Sequence, residues 1–244
     1  EIRARVEAEC DNDEAAEKLK PWYRQFCKRP TFNDDYLATF SRANVALVDV
    51  SGSKGVEAIT EKGVVANGVE YEVDCIIYST GFEITTAAHR RVDFDTLGRN
   101  GESLYDHWAK GYRTLHGLSS HGFPNWFTIG INQNALSPNM TSMFDDQAVH
   151  VSYIIDEVKK RGKQIAEPTI EAEQQWVDHI IELAGSGAAA SKFLQDCTPG
   201  YYNREGQPTT ANVQNSTYVP GINAFNKLLK DWREAGTMDG VELN

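Results

Sequence analysis

Apolar residues recur along this chain in two patterns, one with the spacing of an amphipathic helix and one in short unbroken runs. Near the start, a segment rich in Glu, Ala, Lys and Arg places Ile2, Val6 and Cys10 four positions apart. This spacing puts the three side chains on one helical face and predicts a helix over residues 1–20, with a break near Asp11–Asp13.

Helical periodicity returns three times in the second half of the chain. A helix is predicted after residue 140, ending at Gly162, with five apolar residues on one face: Phe144, Ala148, Val151, Ile155 and Val158. A second helix is predicted between Thr169 and Gly185, and a third begins at Ile222 and ends before Gly236. We interpret their apolar stripes as core faces.

Short β-rich runs follow residue 43 and predict strands at 45–50, 56–60, 64–66 and 69–73. The pair Asn67-Gly68 is typical of a type I′ hairpin turn, because both residues tolerate positive φ. These runs therefore predict a small antiparallel meander.

One further run, within Asp74–Glu83, is apolar on consecutive positions and too short for a helix, which predicts a strand buried on both faces, as in parallel α/β sheets. Its carboxyl end is Thr80-Gly81, the position where such sheets bind ligands, although an ordinary core strand ending in a glycine turn is the alternative. Asn125–Gly130 is predicted as a second short strand. The small-residue loop 131–140 and a helix start follow it, an arrangement that binds anions.

Composition and charge exclude several classes of function. The net charge of -11 over 244 residues argues against a nucleic-acid partner, because phosphate contacts need a clustered basic face. No apolar stretch is long enough to span a bilayer and the charged start is not a signal peptide, so we expect a cytoplasmic protein without a membrane partner. The chain lacks an initial Met, and we expect it to be part of a longer one.

The cysteines and histidines show no spacing typical of a metal or redox centre. The four cysteines, which form no C-x-x-C pair, are predicted to be buried or incidental thiols: Cys10, Cys27, Cys75 and Cys197. The histidines considered as ligands have no ligand spacing, so no metal site is predicted: His107, His116, His121 and His150.

Five short motifs, in this order, carry a resemblance to a known family. They are Cys27-Lys28-Arg29-Pro30 with Asp35-Tyr36, Asn44 to Asp49, Asp74 to Phe82, Gly122 to Asn125, and Ala135 to Met140. With these motifs the chain resembles the C-terminal portion of the FAD- and NADPH-dependent Baeyer-Villiger monooxygenases, over essentially all of its length. The family converts a ketone to an ester or lactone with O2 and NADPH, through a flavin C4a-peroxide.

The resemblance implies an α/β fold made of the C-terminal halves of two Rossmann-like nucleotide-binding domains with added helices. Residues 1–27 would form a helical segment, residues 28–84 part of an NADP-binding domain, and residues 85–244 part of an FAD-binding domain. The implied cofactors are FAD and NADPH.

The resemblance also assigns site residues. Arg29 matches the catalytic arginine, whose guanidinium keeps its charge at any working pH, and Lys28 matches the residue that contacts the NADPH 2′-phosphate. Three residues match the cofactor-binding element between the two domains: Thr80, Gly81 and Phe82.

The loop before the predicted helix supplies the remaining assignments. Ala135 and Leu136 match substrate-lining positions, and Asn139 and Met140 match cofactor-binding positions at the helix start. Asn132-Gln133 stands where many relatives carry Gly-Pro. Around residues 197–202 the family often has a tryptophan on a cofactor-covering loop, and Tyr201 or Tyr202 is the hypothetical substitute here.

Two nucleotide-binding fingerprints of the family are missing from this sequence, because no G-x-G-x-x-G follows a predicted strand. The resemblance therefore implies that the N-terminal half of the same enzyme is a partner. A flavin N-hydroxylating monooxygenase remains an alternative, as does a non-catalytic remnant whose apolar faces bind a partner.

Overall fold

The structure is a computed structural model that describes residues 1–81, 94–185, 192, 196–197 and 213–244. The chain divides into two compact units. The first unit comprises Glu1–Thr85 with Leu194–Gln207, and the second comprises Thr86–Phe193 with Pro208–Asn244.

The first unit begins with three helices: α1 (Ile2–Glu9), α2 (Asp13–Leu19) and α3 (Tyr36–Thr39). The predicted break is confirmed, because Asn12 caps α2 by accepting a hydrogen bond from the Ala15 N–H at 3.1 Å. A small core beneath these helices contains Val6, Cys10, Ala15 and Ala16, which are all buried.

A three-stranded antiparallel sheet follows, built from β1 (Ala58–Ile59), β2 (Gly63–Ala66) and β3 (Val69–Glu72). Asn67 and Gly68 have φ of 52° and 74°, so the predicted hairpin turn is confirmed. In the hairpin, Ala66 pairs with Val69 and Gly63 with Glu72.

The predicted buried strand beyond this sheet is wrong for the described residues. Residues 75–80 form no ladder with any described residue, and the side chains of Ile77 and Tyr78 are 83% and 71% exposed. The predicted strand at 45–50 also lacks a ladder partner among the described residues. A strand needs neighbours to donate to its backbone and cover its faces, and sequence alone does not supply them.

Four helices have described bounds in the second unit: α4 (Leu104–His107), α5 (Met140–Lys160), α6 (Ile170–Ala184) and α7 (Ile222–Ala235). The three long ones are the predicted helices. Single 3-10 turns occupy Arg99–Gly101 and Val213–Asn215. The helix ends follow local signals: Thr169 caps α6, and Gly236 ends α7 with φ of 67°.

Two short strands, β4 (Ala166–Pro168) and β5 (Val241–Leu243), pair antiparallel in the second unit. Neither strand is predicted from the sequence, since Glu and Pro are poor strand residues. The main core of this unit centres on Trp176, Ile180, Phe225 and Leu229.

Two further predictions in this unit need correction. Asn125–Gly130 is not a strand, because Asn125 adopts φ of 57° and begins the segment as a turn. The buried face of α5 is also offset by one residue from the predicted apolar stripe at four of five positions, and consists of Met143, Gln147, His150, Ile154 and Val158. Counting apolar residues alone missed this face because two of its five members are polar.

The prediction that all four cysteines are thiols is wrong. Cys27 and Cys197 form a disulfide across 170 residues of sequence, while Cys10 and Cys75 are free. No spacing rule detects a pair so distant, because only folding brings it together.

The described residues form a mixed α/β structure with two small sheets. Within them, no helix combines the length and apolarity needed to cross a membrane.

Candidate functional site

The predicted site residues fall in both units. Lys28, Arg29, Thr80 and Gly81 belong to the first, whereas Ala135, Leu136, Asn139 and Met140 belong to the second. Phe82, Tyr201 and Tyr202 lie outside the described residues.

Lys28 and Arg29 lie on the loop between α2 and α3. Arg29 is exposed and Lys28 is half-buried, with its Nζ 5.4 Å from the centroid of the Tyr23 ring. Contact with an aromatic face stabilises a cation while leaving its charge available. The loop therefore presents two adjacent positive charges, as an anion site requires.

Thr80 and Gly81 end the exposed segment of the first unit. Gly81 has φ of 94°, a conformation that side-chain-bearing residues rarely adopt, and a Cβ there would meet no atom of the described residues within 4 Å. Within the described part of the chain, conformation rather than crowding therefore favours glycine.

The loop before α5 separates a buried residue from an exposed one. Ala135 is 0% exposed and packs with Leu115 and Trp176, whereas the next residue, Leu136, is 51% exposed. Leu136 therefore presents an apolar side chain at the surface of the second unit, while Ala135 anchors the loop to the core.

Asn139 and Met140 form the start of α5. The exposed Asn139 accepts a hydrogen bond from the Ser142 N–H through Oδ1 at 3.2 Å, and its Oδ1 also accepts from the Thr141 hydroxyl at 2.8 Å. The 21-residue helix places its positive dipole end at this loop.

A buried amide network holds this loop, and the sequence analysis missed it. Gln147, 1% exposed on α5, donates through Nε2 to the Gly130 carbonyl at 2.8 Å and to Asn134 Oδ1 at 3.1 Å, and accepts from the Gly130 N–H at 2.9 Å. Asn134 Oδ1 also accepts from the Ala135 N–H at 2.8 Å. The loop is thus tied to the helix that follows it.

Gln133 extends the network on the other side of the loop. Its Nε2 donates to the carbonyls of Tyr112 and Gln214 at 2.6 Å and 2.9 Å, and its Oε1 accepts from the Thr114 hydroxyl at 2.5 Å. Gln133 stands where many relatives have the proline of Gly-Pro, and a proline could make none of these side-chain bonds. The difference from those relatives therefore changes how the loop is held. The sequence signal that could have indicated this network is the presence of two adjacent amide side chains in a loop of small residues.

Glu173, 1% exposed, is the most buried carboxylate among those described. It accepts hydrogen bonds from the His107 ring at 3.2 Å, the His121 N–H at 3.0 Å and Arg113 Nε at 3.1 Å. Burial raises the pKa of the carboxyl, but these bonds lower it by more, so the pKa lies below its usual value. The bond to Glu173 raises the pKa of His107. These residues stabilise the core of the second unit.

Two buried histidines pack beside Trp232, with the His116 and His150 rings 5.4 Å apart. Burial lowers the pKa of His116 to about 4. Burial, together with the charges of His116 and Arg233, lowers the pKa of His150 to about 3. Both rings are therefore neutral near pH 7 and form part of the core.

A cavity of about 270 Å³ opens beside His116, Trp176 and Trp232. None of the described site residues predicted from the sequence lines it. Among the described residues, no three His, Cys, Asp or Glu side chains come together as metal ligands. The predicted site residues that the structure describes lie instead on the Lys28-Arg29 loop and at Thr80-Gly81 in the first unit, and on the loop before α5 and at the start of that helix in the second.

Comparison with known proteins gives the chain its context. No protein-family model matches it. Pentalenolactone D synthase from Streptomyces arenae is 44% identical over 245 residues, which cover 100% of this chain and 41% of that protein. A Baeyer-Villiger monooxygenase from Streptomyces coelicolor is 43% identical over 235 residues, covering 96% and 38% respectively. The chain therefore spans only 41% and 38% of the length of these curated relatives.

Solved structures agree with the sequence relatives. The polycyclic ketone monooxygenase from Thermothelomyces thermophila matches with a TM-score of 0.87 and 36% identity, over 100% of this chain and 39% of that one. The structure of OTEMO in complex with FAD and NADP matches with a TM-score of 0.70 and 26% identity, over 100% and 43%. In sequence and in structure, this chain is similar to the C-terminal portion of Baeyer-Villiger monooxygenases.

Proposed function

We propose that the polypeptide containing this chain is an FAD- and NADPH-dependent Baeyer-Villiger monooxygenase, which converts a ketone to an ester or lactone with O2. The observation that carries this proposal is the match to the polycyclic ketone monooxygenase over 100% of the chain, at 36% identity and a TM-score of 0.87. The same match supports polycyclic ketones as the first substrates to test.

The residues on the exposed loop fit the chemistry of this reaction. FAD would supply oxygen activation and NADPH the electrons. Arg29 would place a permanent positive charge where negative charge develops on oxygen, and Lys28 would bind the 2′-phosphate of NADPH. Thr80, Gly81 and Phe82 would border the cofactors, and an unhindered glycine at positive φ suits close approach of the backbone.

In the second unit, Leu136 and the backbone at Ala135 would line the substrate site, and Asn139 and Met140 would face the flavin. The buried bonds of Gln147 and Asn134 would keep this loop in place before any ligand binds. Such preorganisation lowers the cost of positioning a substrate.

We assign residues 28–84 to an NADP-binding domain and residues 85–244 to an FAD-binding domain, each as the C-terminal half of a Rossmann-like fold, with residues 1–27 as a preceding helical segment. The phosphate-binding glycine fingerprints would lie in the N-terminal half of the enzyme. Exposed Ile77 and Tyr78 support this partner, because a neighbouring strand and covering helices would bury them. The cytoplasmic location stays a prediction.

The test is a product assay on the full-length enzyme. We expect a yellow protein that oxidises NADPH and adds one oxygen atom to a polycyclic ketone, detected as an ester or lactone by mass spectrometry. Oxygenation of an amine instead would favour the N-hydroxylating alternative. A colourless, inactive full-length protein would favour the non-catalytic alternative and overturn the proposal.

The role of Arg29 is tested in the same assay. Arg29→Ala should lower ester formation by roughly a hundredfold or more, because a charge that stabilises the developing oxyanion is lost, while NADPH oxidation partly survives. Arg42→Ala, which removes another exposed arginine of the first unit, is the matched control and should leave both rates unchanged. Normal ester formation by Arg29→Ala would remove Arg29 from the mechanism.

A further inference from the structure

A disulfide lies directly beside the two cations of the proposed site. Cys27, bonded to Cys197, immediately precedes Lys28 and Arg29 in the sequence. The two cysteines are 0% and 1% exposed, and their Cα atoms are 5.0 Å apart. An ion pair between Arg24 and Asp196, 3.5 Å from Nη1 to Oδ2, joins the same two segments.

The disulfide is the main anchor of this loop. Within residues 22–36, all of which the structure describes, Cys27 is the only buried side chain. The large apolar side chains of the loop contribute little burial, since Trp22 and Phe32 are 67% and 92% exposed, although the centroid of the Trp22 ring lies 4.6 Å from Arg3 Cζ of α1. Pro30 restricts the backbone on the far side of the cation pair. The position of Lys28 and Arg29 therefore depends on the bond at Cys27.

We propose that the Cys27–Cys197 disulfide positions Lys28 and Arg29, and that its reduction lowers NADPH affinity and slows oxygenation, so that this cysteine pair is a redox control site. The functional consequence rests on the proposed monooxygenase activity, whereas the anchoring does not. Disulfides are rarely stable in the cytosol, so in the predicted location the oxidation state would respond to cellular reductants.

The chemical step is a thiol–disulfide exchange with a dithiol. Two electrons and two protons pass from the dithiol to the sulfurs of Cys27 and Cys197, the S–S bond breaks, and the dithiol becomes a cyclic disulfide. The loop then keeps its charges but loses its covalent anchor. Because binding and catalytic groups act only when they are held in position, loss of the anchor should weaken NADPH binding more than it slows oxygenation.

The anchoring is tested without any activity measurement. The full-length enzyme carrying Cys75→Ser, which removes the exposed free thiol, is treated with trypsin before and after reduction by dithiothreitol. We expect cleavage after Lys28, followed by mass spectrometry, to be at least about tenfold faster in the reduced protein, because proteases cut segments that open locally. Cys27→Ser and Cys197→Ser should cleave fast with or without dithiothreitol.

The control function is tested by steady-state kinetics on the same proteins. Reduction, Cys27→Ser and Cys197→Ser should each raise the KM for NADPH by about tenfold, with a smaller change in kcat, because the binding cation Lys28 is displaced.

Equal KM values in both oxidation states would overturn the control function. Alkylation of both cysteines in the untreated protein, or equal cleavage rates, would overturn the disulfide anchor itself. An oxidised enzyme that forms no ester, yet shows faster cleavage on reduction, would instead refute the proposed activity.

Discussion

The two segments proposed to border the cofactors differ in how the chain supports them. Residues 75–80 of the first unit are largely apolar, yet Ile77 and Tyr78 are 83% and 71% exposed. Residues 130–135 of the second unit include polar Gln133 and Asn134, yet both are 0% exposed. Polarity alone would predict that residues 75–80 are buried and that residues 130–135 are exposed.

The difference lies in where the partners of each segment are found. Gln133 and Asn134 are buried because described residues of the same unit satisfy their amide groups, and a buried polar group is stable only when it is hydrogen-bonded. The apolar side chains of residues 76–78 find no such covering within the described part of their unit. The described residues of the second unit therefore hold residues 130–135 in place, whereas the described residues of the first unit leave the apolar side chains of residues 76–78 largely uncovered.

The strongest test of this contrast is Ile77→Asp. In the isolated chain the free energy of unfolding should change by less than about 0.5 kcal/mol, because the site is exposed. In the full-length enzyme it should fall by at least about 4 kcal/mol, because an unpaired charge would be buried. Urea denaturation of both proteins measures the difference. An equal change in the two would show that residues 75–80 stay exposed in the complete enzyme.

The complementary test is Gln147→Leu in the second unit. This change leaves the N–H and carbonyl of Gly130 and one bond of Asn134 unsatisfied in the core, so the free energy of unfolding should fall by about 3 kcal/mol. Gln175→Leu, on the exposed side of α6, is the matched control and should change stability by less than about 0.5 kcal/mol. Urea denaturation followed by tryptophan fluorescence separates the two variants. A similar effect of both would refute the network.

Acid should destabilise the second unit and spare the first, which contains no histidine. His116 and His150 have pKa values lowered to about 4 and about 3, so the unfolded state binds more protons below pH 6.5. Their contribution is complete above pH 6.5 and is lost as the pH falls toward these values. Between pH 7 and pH 5.5 the loss should be about 2 kcal/mol.

Trp22→Phe makes this measurement specific, because the four remaining tryptophans all belong to the second unit. His107 acts in the opposite direction, since its pKa is raised and its contribution is present below pH 6.5 and lost as the pH rises. His116→Phe keeps an aromatic ring in the core and removes one group that takes up a proton on unfolding. Below pH 6.5, the slope of the free energy of unfolding against pH should therefore fall by ~1.4 kcal/mol per pH unit. An unchanged slope would contradict the assignment.

The smallest expected effect concerns the cap of α5. Asn139→Ala removes the acceptor for the Ser142 N–H and should lower the free energy of unfolding by about 1 kcal/mol. Asn139→Asp retains the acceptor and should preserve stability. Thermal unfolding compares the three proteins. Equal destabilisation by both changes would assign the loss to something other than the cap.

The sequence by itself determined the elements that depend on neighbouring residues. The three long helices begin and end at local signals such as Thr169 and Gly236, and the hairpin turn follows from Asn67-Gly68. These elements form from contacts within a few residues, so a local pattern contains the information. The residues of the candidate site come from a resemblance of short motifs and stay predictions, and the loop of Lys28 and Arg29 is bonded to the distant Cys197.

Only the tertiary structure decided which distant groups meet. The Cys27–Cys197 bond, the β4–β5 pairing and the polar face of α5 each join residues that are remote in the sequence. Their energies depend on burial and on satisfied hydrogen bonds, which exist only once the chain has folded. For the same reason residues 75–80, apolar and strand-like in sequence, are exposed where the described chain provides no neighbour.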